Sequence, residues 1–235
     1  MSDARRTILH RVSQALQERP PRPEPYRPPA GHPPVTQIVG GREAWLERFG
    51  QELTRLGGDW DYAESIAAAR LRLLSRLQEQ GVRRILAWDP DRWPLPGLYE
   101  ALTTIGIEIL APDLRAGDRE EMLQQAAGLD IGLTGAEAAI ANTGTLILRS
   151  GPGFSRLASL ITPWHLALVP MSRLYPNLEA WLADLRATGW DREYFMGTSK
   201  VIFISGPSRT ADIEMTLTLG VHGPRHVEVL FFEER

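Results

Sequence analysis

The chain has 235 residues, is 43% hydrophobic and 23% charged, and so has the balance of a globular protein with a sizeable core. A net charge of −3 argues against a general nucleic-acid binder, and no apolar run reaches the roughly 20 residues that span a bilayer. With no cysteine there is no disulfide scaffold, no thiol nucleophile and no thiolate to ligate an iron–sulfur cluster.

The start, Met1-Ser2-Asp3-Ala4-Arg5-Arg6, leads into an amphipathic segment rather than a secretory signal, so a cytoplasmic protein without a membrane span is expected. Ala4 to Gln17 predicts a helix with Ile8, Leu9, Val12 and Leu16 on one face. The proline-rich run from Arg19 to Pro34 holds neither helix nor interior strand and reads as an extended connector. Residues 1–34 are therefore an arm, which either docks on its own domain, on a second copy or on another protein, or is simply a mobile terminus, and residues 35–235 are the main domain.

Trp45, Leu46, Phe49, Leu53 and Leu56 form a helical stripe from Arg42 to Leu56, and a second helix is expected from Ala63 to Gln80. Strands are expected at Arg84–Trp88, Ile107–Leu110, Asp130–Leu133, Gly144–Leu148, His165–Val169, Val201–Ile204 and Val227–Phe232. Helices at Leu98–Ile105, Met122–Ala127 and Leu178–Ala187 fall among them. This alternation, with strands apolar on both faces, implies an α/β fold whose sheet is largely parallel and flanked by helices.

Three stretches carry the candidate chemistry. The first, Ser205-Gly206-Pro207-Ser208-Arg209-Thr210-Ala211-Asp212, follows an apolar strand and leads into an expected helix start. Unpaired N–H groups and the positive dipole end there favour an anion, with Arg209 as a planar fork for carboxylate or phosphate. The alternative is a simple N-cap by Ser208 or Thr210. From Asp212 to Leu219 apolar and polar residues also alternate with the period of a strand; the start signals and Gly220 favour a helix.

In the second stretch, Thr134-Gly135 and Thr143-Gly144 bracket an alanine-rich segment with one carboxylate, Glu137, a candidate base, nucleophile or ligand contact. Asn142 and Thr143 are polar candidates beside it; the simpler reading is that the glycines and threonines make tight turns, with Glu137 capping or solvated. The third stretch, Gly151-Pro152-Gly153-Phe154-Ser155-Arg156, opens a further expected helix and places Arg156 where it would share an anion with Arg209. His165 reads as structural. The five histidines make no HExxH pair, and Gly223-Pro224 breaks the spacing between His222 and His226, so no metal site is expected. Walker A, GxSxG and GxGxxG patterns are absent.

Gly132-Leu133-Thr134-Gly135-Ala136, Asn142-Thr143-Gly144-Thr145, the Arg156, Pro163 and His165 segment, Gly206 to Glu214, and Gly220-Val221-His222-Gly223-Pro224 together resemble the LutC/YkgG family, the lactate utilization protein C group with the LUD domain. The resemblance implies a NagB/RpiA/CoA-transferase-like fold over residues 35–235. It also implies a bacterial system that oxidises L-lactate to pyruvate with LutA- and LutB-like iron–sulfur partners, no cofactor being bound by this chain. A small carboxylate or phosphate would then sit among Thr143, Gly144, Arg156, Ser208, Arg209, Thr210 and His222, with Glu137 as the catalytic candidate. Two other readings stand beside it: a stand-alone CoA-transferase-like or isomerase-like enzyme, and a carboxylate-sensing module. A homo-oligomer formed through the N-terminal arm is a further expectation.

Overall fold

Strands buried on both faces build the centre of the protein. A computed structural model describes residues 3–17, 38–111, 119–126, 128–211 and 217–235, in two units, Met1–Val35 and Thr36–Arg235. The smaller unit contains helix α1 (Asp3–Gln17), on which Ile8, Leu9 and Val12 are exposed. The proline-rich connector expected at 19–34 lies outside the described residues.

In the larger unit the chain runs α2 (Arg42–Arg55), β1 (Asp59–Ala63), α3 (Ile66–Glu79), β2 (Arg84–Ala87), α4 (Leu98–Thr104), β3 (Glu108–Leu110) and α5 (Arg119–Ala126). It continues through β4 (Ile131–Gly135), β5 (Ala138–Ile140), β6 (Thr145–Ser150), β7 (Trp164–Pro170) and β8 (Leu174–Tyr175). It ends with α6 (Leu178–Ala187), α7 (Asp191–Gly197), β9 (Lys200–Ile204), β10 (Arg209–Ala211), β11 (Leu217–Leu219) and β12 (His226–Phe232).

Six strands form one sheet in the order β1-β12-β7-β4-β2-β3, every neighbouring pair parallel. Successive side chains leave a strand on opposite faces, so β7 sends Leu166 and Leu168 into one core and Ala167 and Val169 into another. The first face is covered by α3 and α4 through Leu73, Leu77, Leu98 and Leu102. The second is covered by α2 and a smaller sheet, ordered β8-β5-β6-β9, with Phe49 of α2 packed edge-on against Phe231 at 4.9 Å. The far side of that smaller sheet buries Ala138, Ile140 and Ile147 under Trp181 of α6 and Tyr194 of α7.

The α/β expectation and its parallel sheet are thus met, and three local readings are corrected. The helix expected from Ala63 begins at Ile66, where Ser65 accepts a hydrogen bond from the Ala68 N–H at 3.2 Å, and Asp59–Ala63 before it is an edge strand paired with β12. The helix expected at Arg156 is a single 3₁₀ turn, Arg156–Ser159. The helix expected from Ala211 is replaced at both ends by antiparallel strands, β10 and β11, while 212–216 lie outside the described residues. There the two-residue alternation outweighs the capping signals, because pairing satisfies the backbone of both segments at once.

Candidate functional site

The expected site residues fall at two edges of the parallel sheet. The amino edge, where the strands begin, is organised around the end of α2. Arg209 donates from Nη2 to the Leu56 carbonyl, one of the last carbonyls of that helix. A cation at a helix C-terminus satisfies an orphan acceptor and complements the dipole, the reverse of the helix N-terminus expected at this residue.

Gly144, at φ 59°, closes the β5–β6 turn against the same helix end; a Cβ there would lie 2.6 Å from the Leu53 nitrogen. Next to it the Thr145 hydroxyl donates to the Thr143 hydroxyl at 2.8 Å and meets Ser205 Oγ at 2.7 Å. Ser208 donates its N–H to the Pro224 carbonyl and accepts from the Gly220 N–H, which sets the loop holding the exposed His222 beside it. Thr210 pairs with Thr218 in the β10–β11 ladder. Thr143, Gly144, Ser208 and Arg209 are therefore gathered at one corner, with His222 on the adjoining loop.

Arg209→Ala removes the α2 cap and is expected to lower stability by about 1 kcal/mol, with Arg209→Lys recovering part of it. Urea denaturation of the three proteins checks this, and identical midpoints would refute the cap.

Glu137 lies at the other edge, beyond the carboxyl ends of the strands. It precedes Ala138, which pairs with Ile147, whereas Thr143 lies beyond the Ile140–Thr145 pair, at the opposite end of the β5–β6 hairpin. The Glu137 N–H donates to the Ile147 carbonyl, and its Oε1 is 3.2 Å from Arg149 Nε on β6. The Arg149 guanidinium lies 3.9 Å from the centre of the Phe154 ring, and Phe154 packs edge-on to Trp88 at the end of β2.

Arg173 donates from Nη1 to the Ala136 carbonyl at 2.5 Å. Tyr194, 3% exposed, faces this group: burial pushes its phenol pKa up, Glu137 adds to the rise, and Arg149 and Arg173 oppose it. The Tyr194 hydroxyl, Arg149 Nε, Ser155 Oγ and Thr198 Oγ1 are all buried and have no hydrogen-bond partner among the described residues. Arg149 and Glu137 thus form an ion pair that lacks an aligned hydrogen bond. Arg156 heads the 3₁₀ turn two residues after Phe154, and that turn packs across β4.

Arg149, Arg173 and Tyr194 were not singled out from sequence. A single arginine in a strand and a tyrosine in a short helix carry no motif, and only the two-sheet packing brings them to Glu137. A separate cavity of about 680 Å³ opens at the carboxyl ends of β1 and β12, lined by Arg42, Glu43, Trp60, Tyr62, Glu233 and Arg235 among others. His165 is fully buried in the parallel sheet, its Nε2 2.8 Å from Thr134 Oγ1. Among the described residues no group of three or more His, Asp or Glu side chains is placed to hold a metal ion.

The sequence model of the LUD domain matches residues 46–232. The chain is 35% identical over 159 residues to lactate utilization protein C of Halalkalibacterium halodurans, covering 68% of this chain and 66% of that protein. It is 32% identical over 212 residues to lactate utilization protein C of an Exiguobacterium species, covering 86% and 85%. A crystal structure of a DUF162 family protein from Deinococcus radiodurans shares the fold, with a TM-score of 0.57 and 22% identity over 82% of this chain and 99% of that one. Motif, sheet topology and sequence similarity over most of the chain agree: the protein belongs to the LUD domain family.

Proposed function

We propose that this chain is a component of a bacterial lactate utilisation system, in which it handles a small organic acid while partner iron–sulfur proteins carry the electrons. The observation that carries this reading is similarity along 86% of the chain to a protein named for lactate utilisation. A chain without cysteine has no thiolate of its own for a cluster, which suits such a division of labour. Helix α1, with Ile8, Leu9 and Val12 exposed, supplies the apolar face through which partners are engaged.

Deleting the gene is expected to abolish growth on L-lactate and leave growth on pyruvate intact. The purified chain alone is expected to reduce no dye with L-lactate, and removal of residues 1–34 to lose co-purification of the partners. Lactate oxidation by the isolated chain would overturn the reading in favour of a stand-alone enzyme, and unimpaired growth on L-lactate would overturn both.

A further inference from the structure

We propose that the carboxyl-edge cluster of Glu137, Arg149, Arg173 and Tyr194 is a binding site for a small hydroxy-monocarboxylate. The inference stands on geometry and takes from the proposed function only the choice of probe. A buried tyrosine hydroxyl with no partner among the described residues is costly, because it gives up water without a replacement. It is protonated at neutral pH and so able to donate to an acceptor that enters the site.

Two further donors converge on the same place. The Arg149 guanidinium carbon lies 3.9 Å from the centre of the Phe154 ring, and among the described residues its Nε–H finds no aligned acceptor. Arg173 donates one hydrogen bond to the Ala136 carbonyl, and among the described residues its other N–H groups are not engaged.

The charges select the ligand. Glu137, Arg149 and Arg173 surround the phenol, two cations against one anion, so the surplus is a single positive charge. Arg92 and Asp89 both have side-chain atoms close to Gly153 at the rim, one charge of each sign. A monocarboxylate neutralises that surplus, whereas a phosphate dianion would face Glu137 with excess charge. Glu137 is an acceptor only, so the ligand that satisfies it carries a hydroxyl beside its carboxylate. The position agrees with the general habit of parallel sheets, which place ligands outside the carboxyl ends of their strands.

The test is calorimetry on the full-length protein at neutral pH with L-lactate, propionate and inorganic phosphate. L-lactate is expected to bind, and propionate to bind about tenfold more weakly because Glu137 is left without its donor. Phosphate is expected to bind more weakly still. Tyr194→Phe keeps the ring packing and is expected to weaken L-lactate about tenfold without lowering the melting temperature of the ligand-free protein. Glu137→Gln is expected to narrow the gap between L-lactate and propionate, and Arg84→Ala, on the exposed edge pair with Glu108, to change nothing.

Unchanged L-lactate affinity in Tyr194→Phe overturns the proposal, as does loss of binding in Arg209→Ala instead, which would move the ligand to the amino edge. Absence of saturable heat with L-lactate also overturns it; if growth on lactate still requires the gene, the proposed function survives that result.

Discussion

Gly132→Ala is expected to melt at least ~10 °C below the parent protein, a loss of about 3 kcal/mol or more from a total of roughly 5–15. The cause is a close approach between two pieces of backbone. Gly132 sits in the middle of β4, and a Cβ built on it would lie 1.7 Å from the Ala158 carbonyl oxygen and 2.7 Å from Thr162 Oγ1. The 3₁₀ turn that carries Ala158 cannot retreat without lifting Leu157 and Ala158 out of the core. On the other side Gly132 is held in register between Leu86 and His165. Gly197→Ala is the control, since among the described residues nothing beyond its own helix backbone and chain neighbours lies within 4 Å of the added methyl group. Differential scanning calorimetry of both variants decides the matter, and a Gly132→Ala protein that melts with the control would mean the turn does not rest on this strand.

The second large effect is acid destabilisation through His165. Burial holds its pKa down to about 4, from 6.5 in the unfolded chain. Above the unfolded value both states are neutral at this site and the histidine adds no pH dependence. As pH falls from 6.5 to 4 the unfolded chain takes up a proton that the folded protein refuses, so stability drops through that window. The full loss is about 3 kcal/mol once pH is below both values.

A proton on His165 would place a cation inside the parallel sheet, with Thr134 as its hydrogen-bonding neighbour and no partner for Nδ1 among the described residues. Urea midpoints measured across this range should fall steeply for the parent and less steeply for His165→Gln, whose own stability is lower throughout. Equal slopes for the two proteins would show that other groups govern the acid limb.

The parallel sheet was legible because its strands are apolar on both faces, as in Leu166-Ala167-Leu168-Val169 and Val229-Leu230-Phe231-Phe232, and no amphipathic alternative competes with such runs. Edge strand β1 was not legible: Asp59-Trp60-Asp61-Tyr62 is half exposed and gains its place only by pairing with β12. Strands β5 and β8 were hidden for a related reason, since three alanine-rich residues and a two-residue bridge acquire strand geometry from neighbours rather than from propensity. At Arg209 the same small-residue turn served two continuations, and hairpin pairing decided between them.

The sequence by itself determined the alternation of strands and helices, the absence of thiol chemistry and, through long specific motifs, the family. Those properties are local, written in periodicity and residue type. Only the tertiary structure decided that Arg209 caps α2 at the amino edge while Glu137 meets Arg149, Arg173 and Tyr194 at the carboxyl edge. Residues far apart in the chain come together by packing one sheet on another, and no local pattern records which ends of two strands will face the same side.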